Sequence, residues 1–346
     1  MVDSLPIVAA CLALAGVPLI AVVVLRRIRM GITGRREARL EREVAPLALA
    51  LVDGEEPVID PESGEGAIGS RAKAEALAGV LERYAQVLNG DAHARIAAFF
   101  ANSGAVTAAE EQLRSRRAWK RARAAKALGD MGARSAAPKL IEALDDRDAG
   151  VRATAARTLG KLASSEAVEP LVRALASGTL PRAVAGLALH EIGSDAVPGL
   201  LGLLESDDES VRATAVELIG RLGCASEGDR LLACLDDPSA EVRARSCRAL
   251  GRLGSGDAVA RLADNLDARM PFLRAAAASG LGRMGDSLAL DDLVANARTD
   301  TFASAHAAAR AVALIAPGRA REEADKAGAG PHLTEEADRI AWRLPL

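Results

Sequence analysis

Aromatic side chains are nearly missing from this sequence: they make up 2% of its 346 residues, as four Phe, two Trp and one Tyr. Large cores usually draw on Phe and Tyr, so this one must be packed from Ala, Leu and Val, a composition that suits helix pairs meeting through small Ala faces. Lysine is also scarce, with six Lys among 44 basic residues. The Arg, Ala and Gly richness that results is what a GC-rich genome encodes. With a net charge of −3 there is no overall basic field to draw in nucleic acid. Only four cysteines occur, Cys11, Cys224, Cys234 and Cys247, and no two form a CxxC pair. That argues against a disulfide framework or cysteine zinc site and fits a reducing compartment. A Gly-rich phosphate loop and a Ser-His-Asp set are absent as well.

What is present starts with an uncharged run. Leu5 to Leu25 (LPIVAACLALAGVPLIAVVVL) holds no charge over 21 residues, about 31 Å as a helix and close to the thickness of a bilayer's hydrocarbon. Pro18 is tolerated in such a span. Asp3 precedes it, whereas Arg26, Arg27, Arg29, Arg35 and Arg36 follow. The positive-inside bias puts residues 1–4 outside and the rest of the chain in the cytoplasm of a single-pass cell-membrane protein. A cleaved signal peptide would need a basic start and a shorter run. Val8-Ala9-Ala10-Cys11 resembles a lipoprotein box, but most of the apolar run lies after Cys11 rather than before it.

Residues 26–52 read as a basic juxtamembrane stretch and helical stalk. Residues 53–70 (DGEEPVIDPESGEGAIGS from Asp53) read as an acidic flexible linker with too little apolar surface to fold. Residues 71–113 regain helical spacing through Ala74, Leu77, Val80, Leu81, Tyr84, Ala85 and Leu88, then Ile96, Phe99 and Phe100, with Asp91 as a helix cap between them. They are expected to form an N-terminal helical cap.

From residue 114 to 316 the sequence repeats. Arg121, Arg152, Arg182, Arg212, Arg243 and Arg274 recur at steps of 31, 30, 30, 31 and 31 residues. Each precedes an Ala-rich stretch and a Leu or Ile, with Gly next in five of the six copies. Clear copies are VRATAARTLGKLA from Val151, VRATAVELIGRLG from Val211, VRARSCRALGRLG from Val242 and LRAAAASGLGRMG from Leu273. A second Leu-rich stretch follows each, so the unit is helix, turn, helix, acidic turn. Asp146 and Asp237 stand six residues before Arg152 and Arg243, placed to accept backbone amides at a helix start. The arginine stem can cover apolar surface while its fork reaches acids of the same or the next repeat, making the periodic arginines an internal brace. Residues 317–346 read as a hinge and a last helix capped by Thr334, with Ile340, Ala341 and Leu344 on one face, folding back over the end of the array.

The acidic turn followed by VR-x-x-A-x-x-x-LG-x-LG resembles the HEAT-repeat family, and within it the phycobilisome-lyase HEAT-like type found in bacteria. The resemblance implies an all-α, right-handed solenoid of about six helical hairpins, whose curved stack is a protein-binding scaffold with a groove lined by second helices. It also brings three active classes to mind. Bilin lyases offer no motif that maps here. Deoxyhypusine hydroxylases carry several His-Glu pairs for two irons; this chain has His190-Glu191 alone, while His93, His306 and His332 have no adjacent acid. Alkylpurine DNA glycosylases hold DNA on basic surface, for which the candidates are Arg114, Arg116, Arg117, Lys120, Arg121, Arg123 and Lys126, with Trp119 among them. Nucleic acid, anionic lipid or plain solvent could face that segment. The reading that combines these signals is a membrane-tethered, non-enzymatic scaffold without cofactor or metal, binding a membrane-associated protein and serving as helper to an envelope enzyme.

Overall fold

A computed structural model describes residues 38–55, 71–85, 87–88, 90–326 and 328–341. The expected span at 5–25, residues 56–70 of the linker, and Leu344 lie outside the described residues. Among the described residues no helix is long and apolar enough to cross a membrane. They divide into two compact units, one running to Ala109 and including Asp130–Ala133, the other comprising Glu110–Gly129 and the chain from Arg134 on.

In the first unit, α1 (38–53) carries Val44, Ala48 and Val52 at four-residue spacing, and all three are buried. They share a core with Leu77, Val80, Leu81 and Ala85 of α2 (Arg71–Ala85) and with Ile96 and Phe100 of α3 (Asp91–Asn102). Arg83 bonds Glu41 at 3.1 Å, and Arg95 donates through Nε and Nη2, at 2.9 and 2.5 Å, to the Val52 carbonyl at the end of α1. Residues 26–37 of the expected stalk lie outside the described residues; in the described part, the apolar stripe of α1 is buried, and α1 bonds to α2 and α3 of the expected cap. Gly90, with φ of 66°, takes the N-cap place, leaving Asp91 in the first turn of α3. A further short helix, α4 (Ala105–Gln112), follows.

The second unit is a succession of hairpins. Its first helices are α5 (Ala118–Asp130), α7 (Ala149–Lys161), α9 (Arg182–Ile192), α11 (Glu209–Leu222), α13 (Ala240–Leu253), α15 (Pro271–Met284) and α17 (Phe302–Ile315). Between them run the shorter second helices α6 (Ala137–Glu142), α8 (Val168–Ala176), α10 (Val197–Gly202), α12 (Gly228–Ala233), α14 (Val259–Ala263) and α16 (Leu290–Thr299). Each second helix is entered through a tight 3-10 turn and packs on the first helix that follows it. The core is aliphatic, as the composition requires: Ala155, Ala156 and Leu159, then Ala215, Val216 and Ile219, then Ala244, Cys247 and Leu250 are all fully buried.

The two glycines of the repeat do different jobs. The first sits inside the helix, at the crossing with the next first helix. A Cβ on Gly220 would lie 2.4 Å from Ala249 Cβ; on Gly251, 2.5 Å from Gly280 Cα; on Gly160, 2.7 Å from Ala188 Cα; and on Gly282, 2.8 Å from Ala311 Cα. Backbones meet there with no room for a side chain. The second glycine ends the helix in a left-handed conformation, with φ of 74° at Gly223, 66° at Gly254 and 73° at Gly285. Ala163 holds that position after α7 with φ of 49°, the one positive φ at a non-glycine among the described residues.

In α9 the first glycine is replaced by His190. Accordingly α9 meets α11 over a smaller patch than separates α7 from α9, α11 from α13, or α13 from α15, and Leu187 of α9 remains 44% exposed.

The end of the array also departs from expectation. A helix that the spacing did not mark, α18 (Pro317–Ala324), precedes the small-residue segment 324–330 read as the hinge, and the last helix, α19 (Pro331–Ala341), begins three residues before Thr334. A proline at the first helical position needs no amide partner there, so Pro331 starts α19 and Thr334, now internal, hydrogen-bonds back to the Gly330 carbonyl at 3.3 Å. Helix α19 packs on α17 and α18. Glu323 of α18, 2% exposed, is held by Arg298, by Arg319 at 2.9 Å and by Lys326 at 2.7 Å.

Two substitutions test the glycine positions. Ala163→Gly relieves a left-handed alanine and is expected to stabilise by about 1 kcal/mol, raising Tm by roughly 2–4 °C. Gly251→Ala forces helices apart and is expected to cost about 1–3 kcal/mol or more. Thermal unfolding followed by circular dichroism reads both.

Candidate functional site

Five of the six periodic arginines share one bracing geometry. Nη1 of Arg121, Arg152, Arg212, Arg243 and Arg274 donates to the carbonyl six residues earlier, at 2.7 to 2.8 Å in each case. This closes the turn that leads into the arginine's own helix. The other edge of the fork, Nε and Nη2, points to the next repeat. Arg121 grips Asp146 at 2.6 and 2.7 Å, Arg212 grips Asp237 at 2.8 and 2.9 Å, and Arg274 grips Asp300 through the same two atoms. The aspartates in turn accept the amides of Asp148, Ser239 and Thr301 at the start of the next helix. One carboxylate thus orders its own turn and clamps the repeat before it.

This refines the pairing expected from spacing. Asp146 and Asp237 offer Arg152 and Arg243 their main-chain carbonyls, while their carboxylates belong to Arg121 and Arg212. Arg152 reaches the Thr179 carbonyl at 3.1 Å instead of an acid, and Ala268 stands where Arg243 would need one. Arg182 makes a single 3.0 Å contact with Asp208, both half exposed.

Arg121 therefore leaves the basic segment 114–126 and becomes part of the brace, with only 6% of its surface exposed. Arg114, Arg116, Arg117, Arg123 and Lys126 remain exposed, and Lys120 lies 5.7 Å from the ring centre of Trp119, itself 57% exposed. His190 and Glu191 do not come together with a third metal-ligating side chain among the described residues. Nδ1 of His190 is buried without a hydrogen-bond partner in the protein, and burial raises the Glu191 carboxyl above its ordinary value against the pull of His190 and Lys161. Cys247 and Cys234 are unreactive by environment, burial pushing their thiols up to about 12 and about 11.

A second arginine row was hidden by the first. Arg221, Arg252 and Arg283 follow the crossing glycines Gly220, Gly251 and Gly282 and share their 31-residue step. The same position holds Asp130, Lys161 and Glu191 in earlier repeats, so the basic row is confined to α11, α13 and α15. All three arginines are exposed, and neither they nor the adjoining Arg248 and Arg310 have a carboxylate partner among the described residues. Close helix crossing stacks like charges: partial burial, then neighbouring Arg283, with Arg221 and Arg248, holds the Arg252 guanidinium below its ordinary value, opposed by Glu217. Beside the row a cleft of about 350 Å³ opens between α15 and α17, lined by Ser279, Gly282, Arg283, Ala307, Arg310, Ala311 and Leu314. Leu314 is 59% exposed. Cationic forks next to an apolar side chain suit a carboxylate-bearing protein segment. The period that revealed the brace carries this row too, one residue after each glycine.

Family profiles described as HEAT repeats match residues 106–185 and 228–313, and a single HEAT repeat matches 196–223. Among curated protein sequences none matches the chain. Among solved structures, Kap121p is 12% identical over 74% of this chain and 33% of its own, with a TM-score of 0.52. Importin beta is 16% identical over 83% and 42%, with a TM-score of 0.50. The complex of CpcE and CpcF of phycocyanin lyase from Nostoc sp. PCC7120 is 22% identical over 75% and 95%, with a TM-score of 0.31. The first two likenesses show the helical-repeat fold. This chain spans about a third and two fifths of those two proteins.

The brace has a pH signature. Hydrogen bonds from Arg121 and Arg274 hold the Asp146 and Asp300 carboxyls below their ordinary range; at Asp237 burial pushes upward most strongly, but the Arg212 fork, the Ser239 amide and the charge of Arg243 together hold that carboxyl below its ordinary value as well. Depressed carboxyl values contribute stability that is whole above the unfolded value near pH 4 and is lost as pH falls through the folded values below it. Tm should hold from pH 7 to about 5 and drop below about 4. Asp300→Asn should cost about 1–3 kcal/mol at neutral pH and flatten the acid drop in a thermal melt.

Proposed function

Since the chain belongs to the HEAT-repeat family, we propose that it is a protein-binding scaffold whose contact surface is the arginine row Arg221, Arg252, Arg283 with the neighbouring cleft. The observation that carries this reading is the contrast between two arginine rows of the same period. One is spent on aspartates and carbonyls inside the stack. The other stands exposed, without counter-ions among the described residues, although the chain as a whole is slightly acidic. Uncompensated like charges held side by side are unfavourable in the free protein and are relieved by an acidic partner. The partner we infer is an acidic protein segment with an apolar residue to cover Leu314.

The uncharged run at 5–25 supports tethering of this scaffold at the cytoplasmic face of a membrane, with a membrane or envelope enzyme as the protein it helps. A second contact, with anionic lipid, is favoured by Arg114, Arg116, Arg117 and Arg123 beside exposed Trp119. Basic residues close to such a surface contribute about 1 kcal/mol each, and tryptophan seats at the interface.

Capture from solubilised membranes, with a photocrosslinker at Ser279, tests the main reading. The parent chain should recover a defined protein, and the capture should weaken as salt is raised because exposed charges are screened. Arg252→Glu with Arg283→Glu should abolish it. Equal recovery by parent and double variant would count against the arginine row, and recovery of nothing would count against the scaffold. For the second contact, Arg116→Glu with Arg117→Glu should reduce cosedimentation with phosphatidylglycerol vesicles by at least about tenfold.

A further inference from the structure

The end of the array brings together three side chains that the sequence keeps apart. His306 lies on α17, in the turn after Phe302. His332 and Glu335 lie on α19, three residues apart and so one above the other on a single face. One ligand atom from each of His306, His332 and Glu335 falls within 4.8 Å of the other two. Neither histidine has an acid beside it in the chain, and 26 residues separate them. Only the return of α19 over α17 makes the group.

Two observations separate this group from ordinary packing. His332 is 7% exposed, yet its Nδ1 is buried without a hydrogen-bond partner in the protein, and the same holds for Nδ1 of His306. A buried imidazole nitrogen left unpaired is costly, and two of them side by side is an unusual expense for a helix cap. The second observation is the setting of the rings. Phe302 stacks on His306 with centroids 6.2 Å apart and an interplanar angle of 5°, and meets His332 edge-on at 4.7 Å. The two imidazoles are themselves edge-on at 5.7 Å. Phenylalanine offers these rings shape and fixes their orientation, but accepts no hydrogen bond of useful strength. Nδ1 of each ring is left without a partner in the protein.

We propose that His306, His332 and Glu335 bind one divalent transition-metal ion, of which zinc best suits two imidazoles and a carboxylate. A tetrahedral ion with bonds of about 2.0–2.1 Å needs donors roughly 3.3 Å apart, which small rotations of these side chains supply from their present separation. Water completes the fourth position. The ion joins α17 to α19, so it clips the C-terminal helix onto the last repeat. The carboxylate on the exposed side and the buried histidine on the other give the ion a solvent entry path past Glu335.

The test uses the full chain, dialysed against chelator and then titrated. Isothermal titration with zinc should show one saturable site per chain, and cobalt should give the visible absorption of a tetrahedral nitrogen–oxygen site. Zinc should raise Tm, since an ion bound by the folded state alone stabilises it. Glu335→Gln, at an exposed position that does not disturb packing, should weaken zinc binding at least tenfold, and His306→Asn should abolish it. Asp338→Asn, an exposed acid on the same helix, should leave it unchanged. If His306→Asn fails to fold, Glu335→Gln with a parental circular dichroism spectrum decides the matter. Absence of a saturable site, or a site of parental affinity in Glu335→Gln, overturns the proposal.

Discussion

The contact on which the rest depends is the crossing of one first helix over the next at a glycine. A Cβ added at Gly160, Gly220, Gly251 or Gly282 would lie only 2.4 to 2.8 Å from the neighbouring helix, so the separation of the repeats is set by backbone rather than by side chains. Aliphatic residues of modest size then suffice to fill what is left, which is why a chain of this length folds with so few aromatics. The same closeness fixes the reach that an arginine must span to touch the following turn. Arg121, Arg212 and Arg274 therefore meet their aspartates through two bonds, from Nε and Nη2, along one edge of the fork. It also lines up whatever side chain follows the glycine, and in three consecutive repeats that side chain is arginine.

Much of this was written plainly in the sequence. The 31-residue step gives the hairpin unit, the helix boundaries within a few residues, and the identity of the braced arginines, because a local pattern repeated six times is hard to mistake for packing noise. The less legible parts are those in which distant segments meet. Nothing in the spacing of Asp146 and Arg152 says that the carboxylate turns backward to Arg121 while the carbonyl turns forward. The stripe Val44, Ala48 and Val52 reads equally as a stalk or as a core helix until its covering helices are seen. The grouping of His306 with His332 and Glu335 depends on the fold-back of α19, an event outside the repeat. The second arginine row obeys the same period, but it occupies only three of the repeats, so no residue of it is required by the repeat pattern itself.

Function follows the same division. A residue that every unit requires serves the units, and the brace is accounted for by the turn and the neighbour it holds. Surface features that appear in only part of the array are free of that duty. The Arg221, Arg252 and Arg283 row, its cleft, the exposed surroundings of Trp119 and the histidine group beside Phe302 all occupy such places. A solenoid can thus keep one rule for stability and vary position by position for recognition, provided the glycine crossings are undisturbed.

His190 is where they are disturbed. At the α9–α11 crossing the glycine is gone, the contact patch is small, and the arginine rung is the single half-exposed bond between Arg182 and Asp208. In a one-dimensional stack, stability is a sum of neighbour terms, so the smallest term marks where cooperativity ends. From α7 to α17 the array is therefore expected to behave as two blocks joined by a compliant seam at the α9–α11 crossing. Bending or thermal opening concentrates there and leaves the glycine-locked block from α11 to α17 rigid. A partner gripping that block would feel a firm surface, while strain arriving from the other side of the seam is absorbed before it reaches the arginines.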